Sequence, residues 1–203
     1  MLSIAKQNVL VTGGAGFIGS HLCDSLLAEG VGRLVCLDNL MVGKKENIAP
    51  AMKDPRFVFY NDDARKIGVV QAILEKEKVS VVFNLATIAL NYSFFNPIDA
   101  YMANVEIINT LLTLQKMHVF KTLIHVSSSE AYGTARYSPM DESHPLDPTT
   151  PYAAGKLSAD LMALSFWKVL GLDIAVLRPF NNYGPRQNAV GSLAAIIPAT
   201  AYR

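Results

Sequence analysis

Tyr152 and Lys156 stand four residues apart in Pro151-Tyr152-Ala153-Ala154-Gly155-Lys156, which puts both side chains on one helix face, one turn apart. A tyrosine that works as a base near neutral pH must have its pKa lowered from about 10 by roughly three units, or about 4 kcal/mol. One cation about 5 Å away at an effective dielectric near 20 supplies on the order of 3 kcal/mol, so Lys156 needs the help of a second positive charge. Upstream, an apolar run ends in Ser127-Ser128-Ser129-Glu130-Ala131-Tyr132-Gly133, a cluster of hydroxyls with one carboxylate. Such groups suit general acid–base work. Glu130 also fits a solvated position or the cap of a helical turn.

A second constellation lies at the start of the chain. Thr12-Gly13-Gly14-Ala15-Gly16-Phe17-Ile18-Gly19 follows a β-branched run and opens an amphipathic segment. Gly14, Gly16 and Gly19 satisfy GxGxxG, and Gly13, Gly16 and Gly19 satisfy GxxGxxG. Glycines permit a tight turn and let a pyrophosphate reach backbone N–H groups at a helix N-terminus, where the dipole favours anions. A glycine turn can also serve close helix–strand packing alone. Asp38 separates the two readings, because it ends the next apolar run, where a carboxylate accepts hydrogen bonds from ribose hydroxyls and repels a 2′-phosphate. NAD is therefore the expected cofactor rather than NADP. Lys44 and Lys45 follow Asp38 closely and read as a solvated loop.

Elements that could hold these groups alternate along the chain. Asn8–Val11, Arg33–Leu37, Phe57–Tyr60, Ser80–Leu85, Lys121–Val126 and Asp173–Leu177 predict strands, mostly apolar throughout as strands buried on both faces are. Helices are predicted near Gly16–Glu29, Lys66–Glu77, Asp99–Met117 and Pro151–Leu170. Strand–helix alternation implies right-handed crossovers and a doubly wound parallel sheet, an α/β Rossmann-like fold whose ligands sit at the carboxyl ends of the strands.

The composition is compatible with that fold. The 203 residues are 51% hydrophobic and 17% charged, enough for one sizeable core and too apolar for disorder. With 18 Lys+Arg against 17 Asp+Glu, no basic face for nucleic acid or anionic lipid is expected, and a small ligand is the default partner. The uncharged stretch Val79–Ile98 contains Asn84, Asn91, Ser93, Asn96 and Pro97, so it reads as a buried strand with a polar loop rather than a membrane span. Cys23 and Cys36 read as buried small hydrophobes in a reducing compartment, and the N-terminus shows no secretory signal; a cytoplasmic protein is expected. His21, His118, His125 and His144 have no spacing that suggests a metal site.

Taken in order, VTGGAGFIGSHL, LDNL at Asp38, NLA at Asn84–Ala86, NV at Asn104, SSSEAYG, PYAAGK and LRPFNNYGPRQ at Leu177–Gln187 resemble the extended short-chain dehydrogenase/reductase family. Within it, the resemblance is to the NAD-dependent nucleotide-sugar epimerases, dehydratases and decarboxylases. It implies that Tyr152 takes the proton of the sugar's 4-hydroxyl, with Lys156 lowering its pKa and holding the nicotinamide ribose, and that Ser128 bonds the same hydroxyl. Gly13, Gly16, Phe17, Ile18, Gly19, Asp38, Asn39, Asp63, Ala64, Leu85, Ala86, Asn104 and Pro179 are implied at the cofactor, and Ser93 and Asn181 at the substrate. Ser129 and Glu130 would decide the reaction that follows oxidation at carbon 4. An acid at Glu130 suits removal of the carbon-5 proton, so a nucleotide-sugar 4,6-dehydratase is expected ahead of a 4-epimerase or a UDP-glucuronate decarboxylase. Ser129 beside it is the pattern of UDP-glucuronate decarboxylases, GDP-mannose dehydratases and some UDP-N-acetylglucosamine dehydratases. A non-catalytic NAD-binding module is the reading from a different class, and intact Tyr152, Lys156 and Ser128 argue against it. By the same resemblance, residues 1–178 form the NAD-binding domain and 179–203 only the start of a substrate-binding lobe, and the helices at Asp99–Met117 and Pro151–Leu170 pair two copies into a homodimer.

Overall fold

Six short, largely apolar strands pair side by side, each of the first five being followed by a segment long enough to cross over. In the computed structural model, which describes residues 3–191 and 193–201, they are β1 (Asn8–Thr12), β2 (Arg33–Leu37), β3 (Phe57–Tyr60), β4 (Val81–Asn84), β5 (Thr122–Val126) and β6 (Asp173–Leu177). All pairings are parallel, in the order β3-β2-β1-β4-β5-β6. The order reverses between β1 and β4, which opens a crevice at the carboxyl edge of the sheet. Register brings Thr12 level with Leu37 on one side and Asn84 on the other, and Asn84 level with His125. The loops after four different strands therefore meet at one edge.

Helices cover both faces. On one, Leu10, Val35, Val82 and Leu123 pack against α3 (Ile67–Lys76), α5 (Pro97–Lys116) and α6 (Pro151–Leu170). On the other, Val9, Val11, Leu34 and Cys36 pack against α1 (Phe17–Ala28) and against Ile48 of the short α2 (Lys45–Ile48). The long helices have clear start signals. Pro97 and Pro151 occupy first-turn positions, where a missing N–H costs nothing, and the Thr150 hydroxyl accepts the Ala153 N–H at 3.1 Å. Gly171 ends α6 in the left-handed region. A Cβ at Gly155 would stand 2.9 Å from the Tyr101 carbonyl oxygen, so glycine there lets α6 lie close on α5.

Three features differ from the sequence reading. The polar loop expected after β4 contains a short helix, α4 (Leu90–Ser93), and 3-10 turns form at Ala51–Lys53 and Ser129–Tyr132. These are single turns, too short for periodicity to reveal. The edge strand β6 is covered on one face only: Ile174 and Val176 join the core, while Asp173, Ala175 and Leu177 are exposed, Leu177 by 51%. Beyond β6, the one further helix among the described residues is α7 (Ile196–Ala201), which buries none of its side chains. Positions 1, 2, 192, 202 and 203 of the two expected domains lie outside the described residues. No helix among the described residues is long and apolar enough to cross a membrane.

Candidate active site

The crevice is an open cavity of about 420 Å³ running from the glycine turn to α6. At its first end, β1 turns sharply. Gly13 has φ +70°, its N–H bonds the Leu37 carbonyl at 2.8 Å, and a Cβ on it would lie 2.8 Å from the Ala86 backbone nitrogen. Glycine is the one residue that fits. The first turn of α1, with Phe17, Ile18 and Gly19, lines the cavity; its N–H groups have no intrahelical acceptor, Gly16 offers no capping side chain, and no acid stands there. An anion meets an uncontested helix N-terminus.

Asp38, at the end of β2, is 7% exposed. Its oxygens accept the N–H groups of Ala15 at 2.9 Å and Leu40 at 2.8 Å, so the carboxylate also ties the glycine turn to β2. Burial raises its pKa, and these backbone bonds oppose the rise. Asn39 donates to Asp63 at 3.3 Å, and Arg65 pairs with Asp63 at 2.7 Å and with Asp99 at 3.2 Å. Lys44 and Lys45 do not line the cavity; the Lys45 ammonium lies 5.9 Å from the centre of the Phe59 ring.

At the other end, β5, β6 and α6 converge. The Tyr152 hydroxyl meets the hydroxyls of Ser128 and Thr87, which lower its pKa; burial and the Glu130 carboxylate raise it, and the rise prevails. The Lys156 ammonium donates to the Val126 carbonyl at 3.0 Å and sits 6.0 Å from the Tyr152 ring centre, within a site where burial is the largest influence on the tyrosine. Lys156 is itself 2% exposed, and burial brings its pKa down to about 8, with Asp160 opposing the fall. Ser128 caps the 3-10 turn, its Oγ accepting the Glu130 N–H at 3.2 Å, and the Ser129 N–H bonds the Pro179 carbonyl at 3.0 Å. Glu130 is half-buried, lines the cavity and has no salt bridge among the described residues.

Of the residues singled out from sequence, Gly13, Gly16, Phe17, Ile18, Gly19, Asp38, Asn39, Asp63, Ala64, Leu85, Ala86, Ser128, Ser129, Glu130, Tyr152, Lys156, Pro179 and Asn181 all line this cavity. Two do not. Ser93 is buried in α4 with its hydroxyl on the Leu90 carbonyl at 2.6 Å, because the helical turn there points it inward. Asn104 is buried in α5 behind the wall, donating to the Ala100 carbonyl and accepting the Thr87 hydroxyl at 2.9 Å. Thr87 is the residue that sequence reasoning missed. It lies in the loop after β4, which the switch-point rule marks, yet nothing in its local pattern distinguishes it from its neighbours.

A family model described as GDP-mannose 4,6 dehydratase matches residues 10–202. The chain belongs to this family. It is similar to a dTDP-glucose 4,6-dehydratase of Actinoplanes sp., 36% identical over 188 residues, covering 89% of this chain and 58% of that protein. Among solved structures it is similar to the dTDP-glucose 4,6-dehydratase of Streptomyces venezuelae with NAD bound, with TM-score 0.90, 34% identity and coverage of 97% and 61%. It is also similar to the UDP-N-acetylglucosamine 4-epimerase of Methanobrevibacter ruminantium, with TM-score 0.87, 35% identity and coverage of 96% and 61%. The chain thus spans about three fifths of the length of these relatives. Members of the family are NAD-dependent nucleotide-sugar enzymes, and the Rossmann-like fold expected from sequence is the fold observed.

Proposed function

We propose that this chain is the cofactor-binding and catalytic part of an NAD-dependent nucleotide-sugar 4,6-dehydratase, with residues 1–178 as the cofactor domain and 179–203 as the start of a lobe that holds a nucleotide-diphosphate sugar. The observation that carries this reading is the Glu130 carboxylate, without a salt bridge among the described residues, lining the same cavity as Tyr152 and Lys156. A hydrogen-bonding base alone serves an epimerase; a second acid serves elimination.

The residues fit NAD. The side-chain-free Gly13, the uncontested N-terminus of α1 and the Asp38 carboxylate suit a pyrophosphate and an unphosphorylated ribose. When bound, NAD would supply reversible hydride transfer, from carbon 4 of the sugar and back to carbon 6. Tyr152 takes the 4-hydroxyl proton, with Ser128 and Thr87 orienting the oxygen, and Lys156 would hold the nicotinamide ribose. Glu130 removes the carbon-5 proton, acidified by the new ketone, and delivers a proton to the departing 6-hydroxyl, which leaves as water.

Incubating the full-length protein with NAD and a panel of nucleotide sugars, then weighing the products, tests this. Loss of water is expected. Loss of carbon dioxide would mean decarboxylation, for which Ser129 beside Glu130 speaks, and an unchanged mass with a new stereoisomer would mean epimerisation.

Two coarser features join the reading. The outer faces of α5 and α6 expose Ile98 (77%), Leu161 (53%) and Trp167 (50%), apolar area suited to a second copy of the chain, and light scattering should report a dimer. Free, buried Cys23 and Cys36 suit the cytoplasm.

A further inference from the structure

Three contacts tie the segment after β6 to α1, far back along the chain. The Arg186 guanidinium pairs with the Asp24 carboxylate, Nη2 to Oδ2 at 2.7 Å. Nε2 of His21 lies 3.1 Å from the Pro185 carbonyl, which can only accept, so that nitrogen carries the ring proton and donates it. The Phe17 ring lies against Gly184, where a Cβ would stand 3.5 Å from it, and the His21 ring meets Phe17 edge-on at 5.8 Å. Phe17, His21 and Asp24 follow one another at helical spacing, so one face of α1, beginning at its first turn, carries the whole attachment.

The segment held in this way is Asn182-Tyr183-Gly184-Pro185-Arg186-Gln187. It folds back on itself: Nε2 of Gln187 donates to the Asn182 carbonyl at 3.3 Å, and the Gln187 N–H to the Gly184 carbonyl at 3.4 Å. Asn182 and Gln187 line the same cavity as Gly16, Phe17 and Gly19, whereas Tyr183 is 74% exposed. Oε1 of Gln187 is buried with no hydrogen-bond partner among the described residues, an acceptor withdrawn from water at the cavity wall. Arg186 holds φ +68°, a left-handed conformation that a residue with a side chain keeps only where its surroundings impose it. The pairing with Asp24 imposes it. A stretch that only led onward from β6 would need neither the strained arginine nor a partner on α1.

We infer that Asn182–Gln187 is a second wall of the NAD site, clasped to α1 by Arg186 and Asp24, and that the clasp slows release of the cofactor. This rests on the dinucleotide lying along the glycine turn and the N-terminus of α1, as described above. Arg186 and Asp24 do not line the cavity, so they are positioning residues that act through the segment between them. The segment borders the end of the cavity where α1 offers its free N–H groups, and it must lift for a dinucleotide seated there to leave freely. A protein that reduces and reoxidises one bound cofactor in every turnover gains from slow release.

The test loads the full-length protein with radiolabelled NAD, dilutes it into excess unlabelled NAD and follows loss of the label by filtration. Release is expected to quicken about fivefold in Asp24→Asn and in Arg186→Met, the upper range for a partly exposed ion pair. Combining the two should give about fivefold again, because either change alone already opens the clasp; about twenty-fivefold would mean that the residues act separately and overturns the proposal. His21→Ala, which removes only the bond to Pro185, should quicken release about two- to threefold. Unchanged release in both ion-pair variants overturns the clasp. Uptake of NAD by protein stripped of it should be no slower in the variants than in wild type; quickened release with slowed uptake would mean that the site itself is deformed, which also overturns the proposal. No sugar enters the experiment, so its outcome does not depend on which reaction follows oxidation. Protein that takes up no NAD overturns the cofactor site and this wall together, whereas bound NAD with unchanged release overturns the wall alone.

Discussion

Tyr152 and Glu130 share one cavity but face different problems. Tyr152 is half-buried beside hydroxyls that favour its anion less than burial disfavours it, so the protein by itself keeps the phenol protonated. Full basicity then requires the positive nicotinamide ring in addition to Lys156, in line with the energy of one cation being too small. Tyr152→Phe should therefore slow reduction of bound nicotinamide by about 10²–10⁴-fold, as measured by stopped-flow absorbance. On the proposed reading, Glu130→Gln leaves that first step in place and removes the carbon-5 base. Its expected outcome is a 4-keto sugar of unchanged carbon skeleton that retains its 6-hydroxyl, visible as a product without loss of water. Should Glu130→Gln still release water at the wild-type rate, another group must take that proton.

At the scale of elements, the glycine turn and the start of α1 hold the cofactor end, and the close pair α5–α6 holds the catalytic end. Gly13 is tied to the loop after β4 by a contact that leaves no space for a methyl group, and its φ of +70° adds about 1–2 kcal/mol of strain for any other residue. Gly13→Ala should weaken NAD binding at least about tenfold by calorimetry and lower the urea midpoint, both through displacement of the turn. The elements themselves were legible to within a residue or two: six strands and four long helices follow from apolar runs and proline or threonine start signals. The short α4 and the turn at Ser129–Tyr132 were not, because one turn carries no periodicity. Ser93 illustrates the cost. Read as part of a polar loop, it counted as a substrate contact; inside a helical turn it bonds Leu90 instead.

For the whole molecule, the buried His125 makes stability depend on pH. Its folded pKa of about 3 lies below its ordinary value of 6.5, so between these the unfolded chain binds a proton that the folded one refuses. Stability therefore falls as pH drops through that window, by up to about 1.4 kcal/mol per pH unit for this one proton. His125→Gln should flatten the slope of urea stability against pH from 6.5 downward, and an unchanged slope would show that other groups carry it. Lys156, depressed to about 8 from 10.5, acts at the opposite end, its burial cost relieved as pH rises through that range. The sequence by itself determined the class of fold, the glycine turn with Asp38, and the Tyr152–Lys156 pair, because periodicity and i, i+4 spacing are local properties. Tertiary structure alone decided that Asn104 holds the Thr87 hydroxyl, that Asn84 meets His125 under the cavity, and that Asp160 lies near His125. Those links join residues 17 to 41 positions apart, on separate strands and helices. Only the register of the sheet and the packing of α5 and α6 bring them within hydrogen-bonding distance or close electrostatic reach.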